Sequence, residues 1–237
     1  MSPLDRLTEL CPPPAARRQP VDWARVESAL GTPLPGDYKQ LTATYDPGCF
    51  AGYLWVYDPR HTSVHVNLVG SASDRIRQQM ESDQARGIYP APVDAALLLP
   101  CGATDNGEHL FWATAPQGRP DAWTIVVNEA RGPRWFHFPG SLTEFLVAVL
   151  GGETAVPQFP ADLLKGGTGF EPSDPDQWYP PMPTVTPPLD SAAIRAWGRA
   201  NGFTVPLRGR IPSAVWRAWE KATGDEALPD GGPGRPC

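Results

Sequence analysis

The residues of this 237-residue chain with the most specific chemistry are two arginines on either side of a glycine, Arg208-Gly209-Arg210. Guanidinium groups are drawn into the narrow minor groove of A·T-rich DNA, where negative potential is concentrated. Gly209 lets the backbone approach the groove floor, so that Arg208 and Arg210 can extend along the groove in opposite directions. Because a G·C pair places an amino group in this groove, such readout separates A·T from G·C pairs. On its own, an Arg-Gly-Arg tripeptide is more often a solvated loop. The surrounding sequence must therefore show whether this one indicates DNA binding.

The tripeptide lies in a basic segment of an acidic chain. The formal net charge is −6, yet residues 190–221 carry six basic and only two acidic side chains. Arg195 and Arg199 belong to a helix predicted just before the tripeptide, from which they can contact DNA phosphates. The acidic remainder of the chain should be repelled by nucleic acid. We therefore expect DNA contact to be confined to the basic segment.

Three other groups of residues could do chemistry, but each has a simpler structural explanation. His61 and His65 have the spacing of metal ligands on a helix, yet no third ligand follows at a matching spacing. Asp105 and Glu108 could be paired carboxylates, but they flank an Asn-Gly turn, where Asp is expected to bond the backbone. Cys101 has no cationic neighbour in sequence to activate its thiol. We predict that the protein is not an enzyme and binds neither metal nor cofactor.

The composition narrows the class of protein further. The 30 prolines and 23 glycines belong in loops, linkers or tails, whereas nine Trp, eight Phe and six Tyr can build a core. The four cysteines form no CxxC pair, which favours free thiols in the cytosol over a zinc site or a disulfide framework. The chain has no run of 18 apolar residues and no apolar segment near its start, so we expect no membrane span and no secretory signal.

Proline and glycine density divides the chain into five parts. Residues 1–20 contain five prolines and are predicted to be a disordered arm. Residues 21–152 are predicted to form an α+β domain, and residues 153–189 a Pro/Gly-rich linker. Residues 190–223, named the C-terminal module below, are predicted to hold two helices. Residues 224–237 are predicted to be a disordered tail.

The α+β assignment rests on helical and strand patterning within residues 21–152. Asp22 and Gly31 have the residue types of a helix start and stop, and Ser141 with Glu144 forms a capping box. Asn106-Gly107 is typical of a hairpin turn. The predicted helices are 21–31, a short one after Pro35, 71–85 and one after Ser141; the predicted strands are 53–57, 109–114, 123–128 and 135–138; residues 48–52 are predicted to be a turn.

The order of these features resembles the SUKH superfamily, which includes the Smi/Knr proteins. The residues that carry the resemblance are Trp23, Glu27, Leu34-Pro35, Tyr38, Gly48, Gly52, Leu54, Leu99-Pro100, Thr104 through Glu108, Trp123, Ser141-Leu142 and Phe145-Leu146. The resemblance implies an antiparallel sheet with flanking helices and a non-enzymatic domain that binds an unknown protein partner. Many members are immunity proteins that neutralise bacterial toxins.

The C-terminal module carries a denser resemblance. Residues 194–215 read Ile-Arg-x-Trp-x-x-x-Asn-Gly-x-x-Val-x-x-Arg-Gly-Arg-Ile-Pro-x-x-Val. This pattern resembles the DNA-binding domain of the Lsr-type nucleoid-associated silencers of actinobacteria. It implies binding to the minor groove of A·T-rich DNA by Arg208, Gly209 and Arg210, with Arg195 and Arg199 as backbone contacts. Pro206 departs from the small polar residue often found there, and the family's N-terminal oligomerisation domain is absent.

The C-terminal module is small for a domain that folds by itself and binds DNA. Gly198 belongs to the apolar face of the first helix, Asn201-Gly202 should end that helix, and Trp197, Phe203 and Trp219 should supply most of the core. About 35 residues is near the lower limit of independent stability. One module contacts few phosphates, so strong occupancy of DNA requires several copies, as a homo-oligomer would supply.

Two functions follow from these features. The first is a cytoplasmic, nucleoid-associated protein that binds A·T-rich double-stranded DNA and a protein partner, with no role at a membrane. The alternative is a SUKH-type immunity protein that binds a toxin, with the basic segment secondary. Loss of DNA binding on mutation of Arg208 and Arg210 would favour the first function. A tight protein partner captured in the absence of DNA would favour the second.

Overall fold

The computed structural model describes residues 1–15, 19–88, 91–130, 132–173, 191–203, 205, 215, 218, 219 and 222. The chain divides into two compact units, Met1–Trp178 (unit 1) and Tyr179–Cys237 (unit 2). The helices are α1 Pro3–Leu10, α2 Trp23–Leu30, α3 Gly36–Thr44, α4 Ser71–Ala85, α5 Leu142–Leu150 and α6 Ser191–Ala200. The strands are β1 Gly48–Phe50, β2 Leu54–Val56, β3 Leu98–Thr104, β4 His109–Ala113, β5 Thr124–Asn128, β6 Trp135–Phe138 and β7 Phe170–Pro172.

Unit 1 is built on one antiparallel sheet of these seven strands, in the order β6-β5-β4-β3-β2-β1-β7. Every neighbouring pair runs antiparallel. Gly107 has a φ of 95° in the turn that joins β3 to β4, a conformation that glycine adopts readily. The predicted α+β class is therefore confirmed.

Unit 1 has two hydrophobic clusters, one on each face of the sheet, because successive side chains of a strand point to opposite faces. Leu110 and Trp112 of β4 belong to the main cluster, together with residues of α1, α3 and α5, whereas Phe111 belongs to a smaller cluster against which Met80 of α4 packs. The ring of Tyr38 stands edge-on to Trp112, with 5.0 Å between ring centroids. Helices thus cover both faces of the sheet, and the main core lies under α1, α3 and α5.

Local signals located several helices correctly. The side chain of Asp22 accepts a hydrogen bond from the backbone N–H of Arg25 at the start of α2, and Gly31 ends that helix with a φ of 71°. Ser141 and Glu144 form the predicted capping box of α5. Each signal needs only residues three or four apart, so the sequence reveals it directly.

The predicted disorder of residues 1–20 is wrong for the first eleven residues. Ser2 and Asp5 form a capping box that begins α1, and the side chains of Leu7 and Cys11 are fully buried. The hydroxyl of Tyr45 donates a hydrogen bond to the carbonyl of Cys11 at 2.6 Å. Burial of Leu7 against the main core stabilises a helix too short to form alone.

We expect Leu7→Ala to lower the free energy of unfolding of unit 1 by about 2–4 kcal/mol, because it removes a fully buried side chain. Chemical denaturation of the full chain, followed by circular dichroism, measures this change. Glu9→Ala is the matched control, since Glu9 is exposed on the same helix. Equal, small effects of the two substitutions would show that α1 contributes no stability.

The predicted linker begins too early in the chain, because β7 pairs with β1 and Val156 is buried. Residues 153–173 therefore belong to unit 1, and residues 174–189 lie outside the described residues. The predicted turn at 48–52 is also partly wrong, since β1 occupies Gly48–Phe50. A Cβ at Gly48 would collide with the backbone carbonyl of Glu171, so glycine is needed here for close approach of β7.

The predicted tail, residues 224–237, lies outside the described residues. Within the described part of the chain, no helix is both long enough and apolar enough to cross a membrane.

Candidate nucleic-acid interface

The structure describes the helix that precedes the Arg-Gly-Arg tripeptide and part of its packing. Arg208, Gly209 and Arg210 lie outside the described residues, as does Pro206. Of the predicted second helix, Val215, Ala218, Trp219 and Ala222 are described and are helical.

Helix α6 carries the two remaining predicted DNA contacts. Positions 195 and 199 are one turn apart, so they share one side of the helix. The side chain of Arg199 is exposed and lies in the last turn, where a cation interacts favourably with the helix dipole. Trp197 is half-buried and Gly198 buried, so the packed side of α6 includes positions 197 and 198.

The end of α6 is a Schellman motif. The N–H of Phe203 donates to the carbonyl of Gly198 at 2.8 Å, and the N–H of Gly202 donates to the carbonyl of Arg199 at 3.2 Å. Gly202 has a φ of 81°, the left-handed conformation that this motif requires. The predicted stop at Asn201-Gly202 is therefore confirmed, and the chain turns back toward the packed side of α6.

The turn brings an aromatic pair together. The rings of Trp197 and Phe203 stack with 6.1 Å between centroids and an interplanar angle of 23°. Val205 and Val215 form the buried centre, with Phe203 and Trp219 half-buried around it. The sequence predicts that aromatic residues supply most of this core, whereas the two valines are the most buried side chains described in unit 2.

Gly198 is the point where this small core meets α6. A Cβ built on Gly198 would lie 2.8 Å from a methyl group of Val205 and 2.8 Å from a methyl group of Val215. Val205 and Val215 thus both contact α6 at Gly198. In the sequence, Arg208-Gly209-Arg210 lies between these two valines.

His61 in unit 1 is arranged as a structural residue. Its Nδ1 accepts a hydrogen bond from the backbone N–H of Ser63 at 2.9 Å, so Nε2 carries the proton and donates to Ser173 Oγ at 2.8 Å. In this tautomer the imidazole cannot take a proton from Ser173, which excludes a Ser-His nucleophile in this state. In the part of the chain that is described, no three potential ligands come together to hold a metal.

The two predicted carboxylates have separate structural partners. Asp105 accepts a hydrogen bond from Trp55 Nε1 at 2.7 Å, while Glu108 accepts from Tyr53 Oη at 2.9 Å and from Thr104 Oγ1. Asp105 thus connects the β3–β4 hairpin to β2, and Glu108 connects it to Tyr53, which directly precedes β2.

The cysteines described in unit 1 are buried and free, which fits inert thiols. Burial raises the pKa of the Cys101 thiol well above its ordinary value. A thiol held in its protonated form is a poor nucleophile.

We expect the stability of unit 1 to fall as the pH is lowered through about 6.5. Burial lowers the pKa of His61 and of His109, so between the folded and unfolded values the unfolded chain binds more protons. The free energy of unfolding, measured by denaturation between about pH 7.5 and about pH 5.5, should decrease, and His61→Gln with His109→Gln should flatten the profile. A profile of the wild-type chain that rises on acidification would contradict this assignment.

Comparison with known families bears on the C-terminal module. Residues 187–222 match the family model described as the Lsr2 DNA-binding domain. No solved structure matches the chain. The match spans α6, its Schellman end, both core valines and the Arg-Gly-Arg tripeptide. The C-terminal module is therefore similar to the Lsr2 DNA-binding domain, and this similarity supports DNA binding and association with the nucleoid as its function.

Proposed function

We propose that the C-terminal module binds A·T-rich DNA through the minor groove, with Arg208 and Arg210 in the groove and Gly209 at its floor. The observation that carries this proposal is the family match over residues 187–222, which includes the tripeptide. The packing of Val205 and Val215 against Gly198 supports it, because the residues on either side of the tripeptide in the sequence belong to one small core with α6.

Charge distribution supports a single mode of approach to DNA. The chain as a whole is acidic, and its basic residues are concentrated in residues 190–221. Arg199 is exposed on α6, and position 195 lies on the same side one turn earlier. In this proposal Arg195 and Arg199 contact phosphates beside the groove and orient the module without reading sequence.

Arg199→Ala should weaken binding to A·T-rich and G·C-rich duplexes by a similar factor, because a phosphate contact carries no sequence information. The slope of log affinity against log salt concentration should become shallower by about one. Fluorescence anisotropy with both duplexes at several salt concentrations measures both effects. Glu153→Ala, an exposed change in unit 1, is the control. An effect of Arg199→Ala on the A·T-rich duplex alone would contradict a phosphate role.

For unit 1 we propose a non-enzymatic domain that binds a protein partner, as the SUKH resemblance implies. Two observations support this role: the helices packed on an antiparallel sheet, and the hydrogen bonding of His61, Asp105 and Glu108 to structural partners. Affinity purification of the full chain after nuclease treatment tests the role. A stoichiometric partner that remains after nuclease treatment supports it.

The DNA-binding proposal is tested by anisotropy of the full chain on A·T-rich and G·C-rich duplexes of equal length. We expect clear preference for the A·T-rich duplex at every salt concentration, with both affinities falling as salt rises. Equal, weak binding to the two duplexes would overturn minor-groove readout and would leave the protein partner of unit 1 as the main question.

A further inference from the structure

Strand β6 forms one edge of the sheet, and its outer side is open in the described part of unit 1. Its one strand neighbour is β5. The N–H of Glu129 donates to the carbonyl of Arg134 at 2.9 Å, which fixes the alternation of the ladder. Phe136 and Phe138 therefore bond toward β5, whereas the N–H and C=O groups of Trp135 and His137 point away from the sheet.

The opposite edge of the sheet is partly protected by a proline. The N–H of Ser173 donates to the carbonyl of Pro47, and the N–H of Ala51 donates to the carbonyl of Gly169. This alternation directs the backbone N–H and C=O groups of Phe170 and the backbone C=O of Pro172 away from β1. Pro172 has no N–H to donate. Edge strands are commonly protected by proline in this way. The β6 edge offers two outward donors where the β7 edge offers one.

The side chains of β6 add no protection. The strand reads Trp-Phe-His-Phe, with no formally charged residue and no proline inside it. His137 is exposed, and the other three side chains are half-buried. Pro133 and Pro139 stand three residues before and after Phe136, so the open edge is short and symmetric about that residue.

We propose that β6 is a self-association surface, at which two copies of this chain pair their β6 strands antiparallel about Phe136. In this pairing Trp135 of each copy lies opposite His137 of the other, and the two Phe136 residues face each other. Arg134 lies opposite Phe138, so like charges are not placed opposite each other. The pattern thus fits a second copy, and the four outward N–H and C=O groups of each strand are satisfied.

Pairing of this kind would give the DNA-binding modules the multiplicity that one module lacks. This consequence rests on the proposed function, whereas the pairing itself rests on the geometry of β6. Two tethered modules bind a long A·T-rich duplex more tightly than one, through effective concentration rather than through new contacts. The contact made by one short strand pair is small, so we expect a weak dimer, formed in the micromolar range.

The test compares His137→Pro with His137→Ala in the full chain. Both variants lose the contact between His137 Nε2 and Thr124 Oγ1 (3.0 Å). Proline also removes the outward N–H, and it breaks no bond to β5 because that N–H points away from the sheet. Sedimentation velocity over a range of protein concentrations measures the dimer dissociation constant of each variant.

We expect His137→Pro to raise the dissociation constant at least about tenfold, since two hydrogen bonds across the dimer are lost. His137→Ala should leave it nearly unchanged. A wild-type chain that stays monomeric, a dimer unaffected by proline, or equal weakening by both variants would each overturn the pairing. A strand of another protein bound at β6 in place of a second copy would overturn it as well.

Hydrogen exchange of the wild-type chain gives a second readout should the proline variant fail to fold. The amides of Trp135 and His137 should exchange more slowly as protein concentration rises, whereas the amide of Phe136, bonded to β5, should not change. Exchange that is independent of concentration at all three amides overturns the pairing. DNA is absent from both experiments, so a failure of the DNA proposal would leave their outcome unchanged.

Discussion

Replacing Arg208 and Arg210 together by alanine is expected to weaken binding to A·T-rich DNA about a hundredfold or more. Each arginine that reads base edges is worth about 1–3 kcal/mol, and 1.4 kcal/mol is a factor of ten in affinity. Binding to a G·C-rich duplex should change much less, because phosphate contacts dominate there. The A·T preference should therefore be lost together with most of the affinity. Fluorescence anisotropy of the full chain on both duplexes measures the change.

The matched control is Arg208→Lys with Arg210→Lys, which keeps both charges and removes the planar guanidinium groups. A lysine pair should retain binding to G·C-rich DNA and lose most of the A·T preference, because an ammonium group cannot form the same forked contacts. Full A·T preference in the lysine variant would assign the effect to charge alone. Unchanged affinity in the alanine variant would place the DNA contact elsewhere in the chain.

Gly198→Ala is expected to unfold much of the C-terminal module and to lower DNA affinity without changing any charge. In an exposed helix, alanine would be favoured over glycine by about 1 kcal/mol. Here its Cβ would lie 2.8 Å from methyl groups of both Val205 and Val215. Valine side chains are stiff, so neither methyl group can turn aside cheaply, and overpacking of this kind costs about 1–3 kcal/mol. A module with so small a core cannot absorb that loss.

The effect of Gly198→Ala can be separated from a direct effect on DNA contact. Val215→Ala removes one of the two obstructing side chains, so the double variant should bind DNA better than the sum of the single effects allows. Ala196→Ser, on the exposed side of α6, should leave affinity unchanged. Amide NMR of the full chain reports whether the signals of α6 collapse. Full affinity and a folded α6 in Gly198→Ala would contradict the packing described here.

Elements whose signals are local could be predicted from sequence. Helix α2 begins after Asp22 and ends at Gly31, and α6 ends at Asn201-Gly202. These caps depend on residues only a few positions apart. The Asn-Gly turn between β3 and β4 is of the same kind. The strands β4, β5 and β6 were also found, since their apolar residues bury against helices on both sides.

Elements that depend on distant partners were missed. α1 is held by burial of Leu7 and by the bond from Tyr45 to Cys11, and nearby prolines concealed it. β7 is short and shows no period, and it exists because β1 offers it a partner more than a hundred residues earlier. Arg60 was also missed, although its guanidinium donates to the carbonyls of Thr42 and Tyr45 at the end of α3. No local sequence pattern predicts such contacts.

In the candidate site, the close packing around Gly198 could not be predicted from the sequence. Gly198 was placed on the apolar face of α6, but its close approach to Val205 and Val215 depends on how the chain returns after Gly202. Charge and spacing predict Arg195, Arg199 and the tripeptide as DNA contacts, and these assignments stay predictions.

The most direct test of minor-groove readout compares three duplexes of equal length, made of A·T, G·C or inosine·C pairs. Inosine lacks the amino group that guanine presents in the minor groove, while its major-groove edge is that of guanine. Minor-groove readout by Arg208 and Arg210 requires the full chain to bind the inosine duplex nearly as tightly as the A·T duplex. Affinity for the inosine duplex as low as for G·C would contradict it, because the discrimination would then come from the major groove.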